Sequence, residues 1–249
     1  MSDTATPVVL ITGAAGGIGA ATAEHLLSIS HRIIAIDRDE DALNKIYAGY
    51  GDDKVAIITA DISDVDQIRS ATSRGIAHFG SLNALVNNAA LHGQRWLRPC
   101  LDYSPDEWAE IFAVNVFAIP AFAKAALPAL IKSQGVIINM SSMTGYGHGS
   151  PSAYSVSKTA VNGLTTSLSD ELGELGVRVV GLAPGFIATP AVIASVSEIA
   201  LERVLERQAI QTTGKPEDIA KIVAFLIRDE ARLITGTTIH ADLGTTRLS

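Results

Sequence analysis

The chain reads as an α/β protein: a doubly wound, parallel, seven-stranded sheet with helices on both faces, in a single domain over residues 1–249. Three observations predict this. Short apolar runs alternate with helical stretches along the whole chain, and a glycine-rich turn follows the first run. A hydrophobic fraction of 47% and a mean hydropathy of +0.28 suit a sheet buried on both faces. A length of 249 residues fits one large domain better than two small ones. The apolar runs place strands at 8–11, 32–36, 55–59, 83–87, 136–140, 177–182 and 238–241. Helical patterns fall between them at 20–27, 41–48, 65–79, 105–132, 152–175 and 216–227. Strands alternating with helices imply right-handed crossovers. Segment 188–213 breaks the alternation, with Val192, Ile193, Ile199, Leu201, Val204 and Leu205 spaced for one apolar face. No internal repeat and no low-complexity linker interrupts the pattern.

Charge and composition exclude several classes. A net charge of −7 and no basic cluster argue against nucleic acid or an acidic membrane surface as partner. Cys100 is the single cysteine, so no internal disulfide forms. His25, His31, His78, His92, His148 and His240 are scattered at no ligand spacing, so no metal is expected. The start, Met1-Ser2-Asp3-Thr4, lacks a charged region followed by an apolar one, and so does not read as a signal peptide. The longest apolar stretch, 116–131, contains Pro120, Lys124 and Pro128. It is shorter than the roughly 20 apolar residues a membrane span needs. A cytoplasmic protein is the expectation.

Two motifs carry chemistry. In Tyr154-Ser155-Val156-Ser157-Lys158 a phenol and an ammonium leave the same helical face. A lysine held near a phenol favours phenolate, so the pair predicts a tyrosine of lowered pKa. Alone this spacing is weak, since most such pairs are a core aromatic and a solvated lysine. The second motif, Thr12-Gly13-Ala14-Ala15-Gly16-Gly17-Ile18-Gly19, lies between a strand and a helix. Gly13 permits the tight turn, Gly16 or Gly17 lets backbone approach a pyrophosphate, and Gly19 lets the helix pack on the strand. The helix N-terminus then turns its N–H groups to the phosphates.

The frame T-G-x-x-x-G-x-G, with Tyr154 and Lys158, resembles the short-chain dehydrogenase/reductase family. Further landmarks stand in family order: Asn87-Asn88-Ala89-Ala90, Val114-Asn115-Val116, Asn139-Met140-Ser141-Ser142, Pro184-Gly185 and Ile234-Thr235-Gly236. The resemblance runs from Val8 to about Gly244 and implies a Rossmann fold. It also implies an NAD-dependent oxidoreductase that interconverts a secondary alcohol and a ketone by hydride transfer. Tyr154 would be general base or acid, and Lys158 would bind the nicotinamide ribose and lower the tyrosine pKa. A serine at the end of the fifth strand would hold the substrate oxygen, and Asn115 would hold a water that passes the proton on through Lys158. A dehydratase or epimerase of the same fold, or a nucleotide-sensing protein without activity, are the alternatives. The Tyr–Lys spacing disfavours the enoyl reductases of the family, whose pair lies farther apart. Family members commonly pair the long helices across a two-fold axis. Ala121, Phe122, Ala125, Leu164 and Leu168 make these helices apolar all round here, so a homotetramer is expected, with a dimer as fallback.

For the cofactor, Asp37 ends the second strand, where an acid accepts both adenosine ribose hydroxyls and repels a 2′-phosphate. Asp39 is as well placed to cap the next helix, which leaves Asp37 free. Arg38 points the other way, but Ala15 stands where NADP-preferring relatives often carry a base. NAD is the balance. The resemblance assigns Asp61 and Ile62 to the adenine edge, and Asn88, Ala89 and Ala90 to the ribose and pyrophosphate side. Gly13 to Gly19, Ile18 included, cradle the phosphates. Pro184, Gly185, Ile187 and Thr189 resemble the segment holding the nicotinamide carboxamide.

The candidate substrate wall is His92, Gln94, Arg95, Trp96 and Leu97, then Tyr146, His148 and Ser150, closed by Phe186, Val192 and Ile193. In the family, 188–213 covers the substrate. This mixture favours a neutral, moderately hydrophobic or cyclic small molecule, although Arg95 could recognise an anion. The serine must be chosen between neighbours. The family often places it thirteen residues before the tyrosine, which gives Ser141; the pattern N-x-[SG]-S-x-x-G at the strand end gives Ser142. Successive strand residues point to opposite faces, so only one can reach the substrate. Loops absorb deletions and strand registers do not, which selects Ser142.

Overall fold

The computed structural model describes residues 6–147, 151–194 and 196–246, so His148 and Ser150 of the expected wall lie outside the described residues. Seven strands form one parallel sheet in the order β3-β2-β1-β4-β5-β6-β7. They are β1 Val8–Thr12, β2 Arg32–Asp37, β3 Val55–Thr59, β4 Ala84–Asn87, β5 Val136–Met140, β6 Arg178–Pro184 and β7 Thr238–Ala241. The β-branched runs dictate strands, and period-two alternation sorts their side chains between two faces. Leu10, Ile34, Leu85, Ile137 and Val179 meet helices α3 Val65–Phe79, α5 Ala118–Ser133 and α6 Ala153–Gly173. Val9, Ile11, Ile33, Val86, Ile138 and Val180 meet α1 Gly17–Ser28, α2 Glu40–Tyr47 and α9 Pro216–Ile227. Each layer excludes water from one side of the sheet, which explains why the strand interiors are mostly apolar on both faces. The strand order reverses between β1 and β4, and in open α/β sheets ligands bind outside the carboxyl ends at that point.

Pro120 does not end the helix predicted over 105–132. Helix α4 Pro105–Phe112 passes through a π-helical turn, Ala113–Phe117, straight into α5. A proline lacks its N–H and crowds the carbonyl four residues back, here Val116; the wider π turn just before it relieves that crowding. By length and composition the continuous helix Pro105–Ser133 is apolar enough to cross a membrane, so the length argument used on 116–131 fails. Its packing gives the apolarity another purpose. Ile111, Ala118, Ile119, Phe122, Ala123, Ala126 and Leu130 are buried in this chain's own core. Phe122 and Leu168 are therefore core residues, not the unpartnered surface that the apolar helix pattern suggested.

Segment 188–213 holds two short helices, α7 Pro190–Ile193 and α8 Glu198–Arg207. It is tied back at its end, where the Ile210 N–H donates to the Leu243 carbonyl at 3.1 Å and a side chain at Gly244 would strike the Ala209 Cβ at 2.6 Å.

Candidate active site

The turn after β1 is fixed by backbone geometry. Gly13 takes φ +68, and a Cβ there would lie 2.8 Å from the Ala89 Cα. A Cβ on Gly19 would sit 2.1 Å from the Gly13 carbonyl oxygen and 2.6 Å from Asn88 Nδ2, so only glycine lets α1 start this close to β1. Gly17 has φ +53, and a Cβ there would lie 3.5 Å from the Thr189 methyl, whereas one on Gly16 would face open space. Gly16 is thus where backbone can approach a phosphate, at the N-terminus of α1. Across the switch point, Asn88 latches β4 to β1: its Nδ2 donates to the Thr12 carbonyl at 2.9 Å. The Asn88 and Ala89 N–H groups both donate to Thr12 Oγ1 at 3.0 Å.

Asp37 is less free than expected. Asp39 does cap α2, accepting from the Ala42 N–H at 2.9 Å. Asp37 instead accepts from the Ala15 N–H at 3.0 Å through one oxygen and from the Asp39 N–H at 3.1 Å through the other. A carboxylate oxygen accepts more than one hydrogen bond, so each retains capacity for a ribose hydroxyl. Arg38 is exposed. Asp61 takes both the Ser63 N–H at 2.9 Å and the Ser63 hydroxyl at 2.8 Å, while Asp64 caps α3 and Ile62 packs on the core. After β6, a Cβ on Gly185 would meet the Asp242 Cα at 2.7 Å. Ile187 is buried, and Thr189 caps α7 by accepting from the Val192 N–H at 3.2 Å. The glycine turn, Asp37 and Thr189 fit an extended dinucleotide over the carboxyl ends of the strands.

The reacting groups converge beside β5. Ser152 and Ser155 form a capping box that starts α6, so Tyr154 and Lys158 leave its first turns toward the end of β5. Lys158 is 3% exposed, and its Nζ donates to the Met140 carbonyl at 2.7 Å, standing 5.6 Å from the Tyr154 ring centre. The two neighbouring serines diverge. Ser142 stands close enough to the Tyr154 phenol to lower its pKa, and its Oγ accepts from the Thr144 N–H at 3.2 Å and from the Thr144 hydroxyl at 3.1 Å. Ser141 turns the other way, donating to Asn162 Oδ1 at 2.5 Å and to the Lys158 carbonyl at 3.3 Å.

The lowered tyrosine pKa is not what the protein provides by itself. Burial pushes Tyr154 up to about 12, against a smaller lowering by the neighbouring Ser142, and burial pushes Lys158 down to about 8. Desolvation penalises both charges, and it outweighs what a lysine placed over the ring, with its ammonium on a carbonyl, does for a phenolate.

Asn115 also departs from its expected role. It lies in the π turn, 2% exposed, and donates to the Leu91 carbonyl at 3.1 Å and to Ser157 Oγ at 3.0 Å. Its Oδ1 accepts from the Leu91 N–H at 2.7 Å. Both amide hydrogens are spent on protein, so the side chain clamps Leu91 rather than donating to a water. Ser157, fully buried, donates in turn to the Tyr154 carbonyl at 2.7 Å. Sequence reasoning missed Ser157 because nothing local distinguishes it from any helical serine.

The expected wall is corrected at Trp96, which is only 3% exposed. It stacks on Tyr103, ring centres 6.1 Å apart, and is covered by the Arg95 guanidinium at 4.4 Å. Trp96, Tyr103, Ile111 and Ala153 form a small core of their own, against which Leu91, Trp108, Phe112 and Tyr154 pack. Arg95 pairs with Glu110 at the surface through bonds of 3.1 and 2.6 Å. Tyr146 lies against His240 with ring centres 4.3 Å apart. Gln94 and Leu97 are exposed, and Phe186 and Val192 are half-buried.

Comparisons with known proteins agree with this geometry. A family model described as "Enoyl-(Acyl carrier protein) reductase" matches residues 13–246. The chain is 33% identical over 241 residues to the 3-oxoacyl-(acyl-carrier-protein) reductase FabG of Thermotoga maritima, covering 95% of this chain and 96% of that one. It is 30% identical over 240 residues to the meso-2,3-butanediol dehydrogenase of Serratia marcescens, covering 96% and 94%. The crystal structure of a 3-ketoacyl-(acyl-carrier-protein) reductase from Brucella melitensis complexed with NADH superposes with a TM-score of 0.85 at 28% identity, covering 96% of this chain and 98% of that one. With the glycine turn at the switch point and the Ser142–Tyr154–Lys158 cluster at the end of β5, the chain belongs to the short-chain dehydrogenase/reductase family of oxidoreductases.

Proposed function

We propose that this protein is an NAD-preferring ketoreductase and secondary-alcohol dehydrogenase, with Tyr154 as its general acid and base. The observation that carries the reading is the buried Lys158, its Nζ 5.6 Å from the Tyr154 ring centre, with Ser142 beside the same phenol. When bound, a nicotinamide cofactor supplies or accepts the hydride and, oxidised, adds a positive charge that favours phenolate. With its pKa near 12, Tyr154 is a protonated phenol at neutral pH and donates its proton to a ketone oxygen. Ser142 Oγ holds that oxygen and stabilises its developing charge. Lys158, still cationic at neutral pH, binds the ribose hydroxyls and restores the proton to Tyr154. Asn115 is a positioning residue, since it fixes Leu91 and, through Ser157, the turn carrying Tyr154 and Lys158.

Asp37 supports NAD over NADP, because a 2′-phosphate would meet a carboxylate already held in place by two N–H groups. Segment 188–213 covers the substrate, with Thr189 reaching the glycine turn. The pairing of Arg95 with Glu110 supplies a counter-charge beside the one cation of the expected wall, which suits a neutral substrate. The names of the two relatives fit this, one a 3-oxoacyl group and the other a 2,3-diol. Exposed Phe117, Ile131 and Val156 on the long helices suit pairing of copies, and we read the protein as a cytoplasmic homotetramer. The decisive experiment is Tyr154→Phe, read by nicotinamide absorbance on a ketone panel and by NADH binding. Turnover should all but vanish while NADH affinity stays within about threefold, under 1 kcal/mol. A variant that keeps most of its kcat would overturn the mechanism.

A further inference from the structure

The turn after β1 rests on a residue that neither sequence motif contains. Tyr47, the last residue of α2, is 1% exposed and packs in the core under that side of the sheet. A buried tyrosine needs a partner for its hydroxyl. Here Tyr47 Oη donates to the Ala14 carbonyl at 2.8 Å, inside the glycine turn. Ala14 is fully buried, and its own N–H donates to the Ile36 carbonyl at 3.2 Å, which lays the turn on the end of β2. A trans peptide points its carbonyl and its N–H in opposite directions. The Ala14–Ala15 peptide is held at both ends, its carbonyl by Tyr47 and its N–H by Asp37 at 3.0 Å. The other Asp37 oxygen accepts from the N–H of Asp39, the residue that caps the start of the helix Tyr47 ends. Turn, β2 and α2 thus close a ring of hydrogen bonds with Asp37 inside it.

Resting on the reading of Asp37 as the acceptor of the adenosine ribose hydroxyls, we infer that Tyr47 is a positioning residue for cofactor choice. It holds the Ala14–Ala15 peptide so that an N–H faces Asp37, and so presets that carboxylate for NAD. If the peptide turned over, its carbonyl would face the carboxylate and repel it, and Asp37 would swing away from the ribose. Without the Tyr47 hydroxyl, the Ala14 carbonyl is a buried acceptor with no partner, and turning over is how the peptide escapes that penalty. Burial raises the phenol above its ordinary pKa, so Tyr47 stays a donor across the working range of pH. A carboxylate already oriented loses little conformational freedom when the ribose arrives, which is how a side chain that never touches the cofactor acts on its affinity.

The test is a double-variant cycle on the full-length protein, with NADH affinity read by fluorescence titration. Tyr47→Phe keeps the ring that fills the core and removes only the hydroxyl. It should raise the NADH Kd by about tenfold, the scale of one buried hydrogen bond, with kcat at saturating NADH within about twofold. Asp37→Ala should raise the Kd at least as much. In the Asp37→Ala background, Tyr47→Phe should change the Kd by less than about twofold, because the carboxylate it positions is gone. Tyr47→Phe should also narrow the kcat/KM preference for NADH over NADPH by at least about threefold, a readout that a general loosening of the core would leave unmoved. Equal losses on Tyr47→Phe in both backgrounds, or no loss in either, overturn the role of Tyr47 while the Asp37 reading stands. An Asp37→Ala variant that binds NADH as tightly as the starting protein removes the ribose reading of Asp37 and this inference with it, so the two failures are distinct.

Discussion

The turn after β1 and the excursion after β4 meet at one switch point and are held in place by opposite means. The turn is fixed by backbone: glycines at positive φ, a Cβ-free approach at Gly19, and N–H groups donating to Asp37 and Thr12. The excursion is fixed by side chains. Trp96, Tyr103, Trp108, Phe112 and Phe117 form a continuous ladder, each ring centre within 6.1 Å of the next. Arg95 and Arg98 lie over two of the rings and are tied to Glu110 and Glu107. Backbone geometry suits a cofactor shared by a whole family, because phosphates are recognised by N–H groups of any sequence. Side-chain packing, by contrast, can be varied one residue at a time without moving the turn.

The sharpest way to break this comparison is at the glycines. Gly19→Ala pushes a methyl into the Gly13 carbonyl, which is backbone and cannot move aside. It should cost about 4 kcal/mol or more in urea unfolding and abolish cofactor binding. Gly16→Ala, at a site open to solvent with extended backbone, should change stability by less than about 0.5 kcal/mol. Equal costs at the two positions would show that crowding does not govern the turn.

On the side-chain-held half, Trp96→Ala should cost about 3–5 kcal/mol, as for other buried aromatics truncated to a cavity. A residue lining an open substrate wall would show a small stability loss and a raised KM instead. Thermal and urea unfolding of the variant separate the two.

Lys158 makes a prediction about pH. Its pKa falls from 10.5 in the unfolded chain to about 8 in the fold, so between those values the unfolded chain binds more protons. Stability should therefore rise with pH across that window, by up to about 3 kcal/mol. Tyr154 acts oppositely. Its pKa rises from 10.0 to about 12, so stability that is complete below pH 10 is lost as the pH climbs through 12. Urea unfolding of the starting protein and of Lys158→Met at pH 7.5 and 9.5 isolates the lysine. The starting protein should gain about 2 kcal/mol relative to the variant over that interval. An unchanged difference would mean that the ammonium is solvated.

The smallest contrast is between the adjacent serines. Ser142→Ala removes the hydroxyl beside the Tyr154 phenol, and kcat should fall by a factor on the order of a hundred. Ser141→Ala leaves Asn162 without its donor and should cost about 1–2 kcal/mol in stability with kcat within about twofold. The reverse pattern in kinetics would reassign the substrate oxygen to Ser141.

The seven strands and the glycine turn were legible in the sequence because each rests on local rules. Buried parallel strands need continuous apolar runs, and only glycine tolerates positive φ beside a crossing backbone. The spacing of Tyr154 and Lys158 is likewise a local helical fact. The fate of Trp96, the clamp of Asn115 on Leu91 and the commitment of Arg95 to Glu110 were not legible. Each depends on partners that the sequence separates and packing brings together, fifteen residues apart for Arg95 and Glu110, twenty-four for Asn115 and Leu91. Periodicity cannot tell a ring that faces substrate from one that faces another ring. The pKa values of Tyr154 and Lys158 belong to the same class, since the spacing sets their shared face while burial, decided by the tertiary structure alone, sets which charge each can carry.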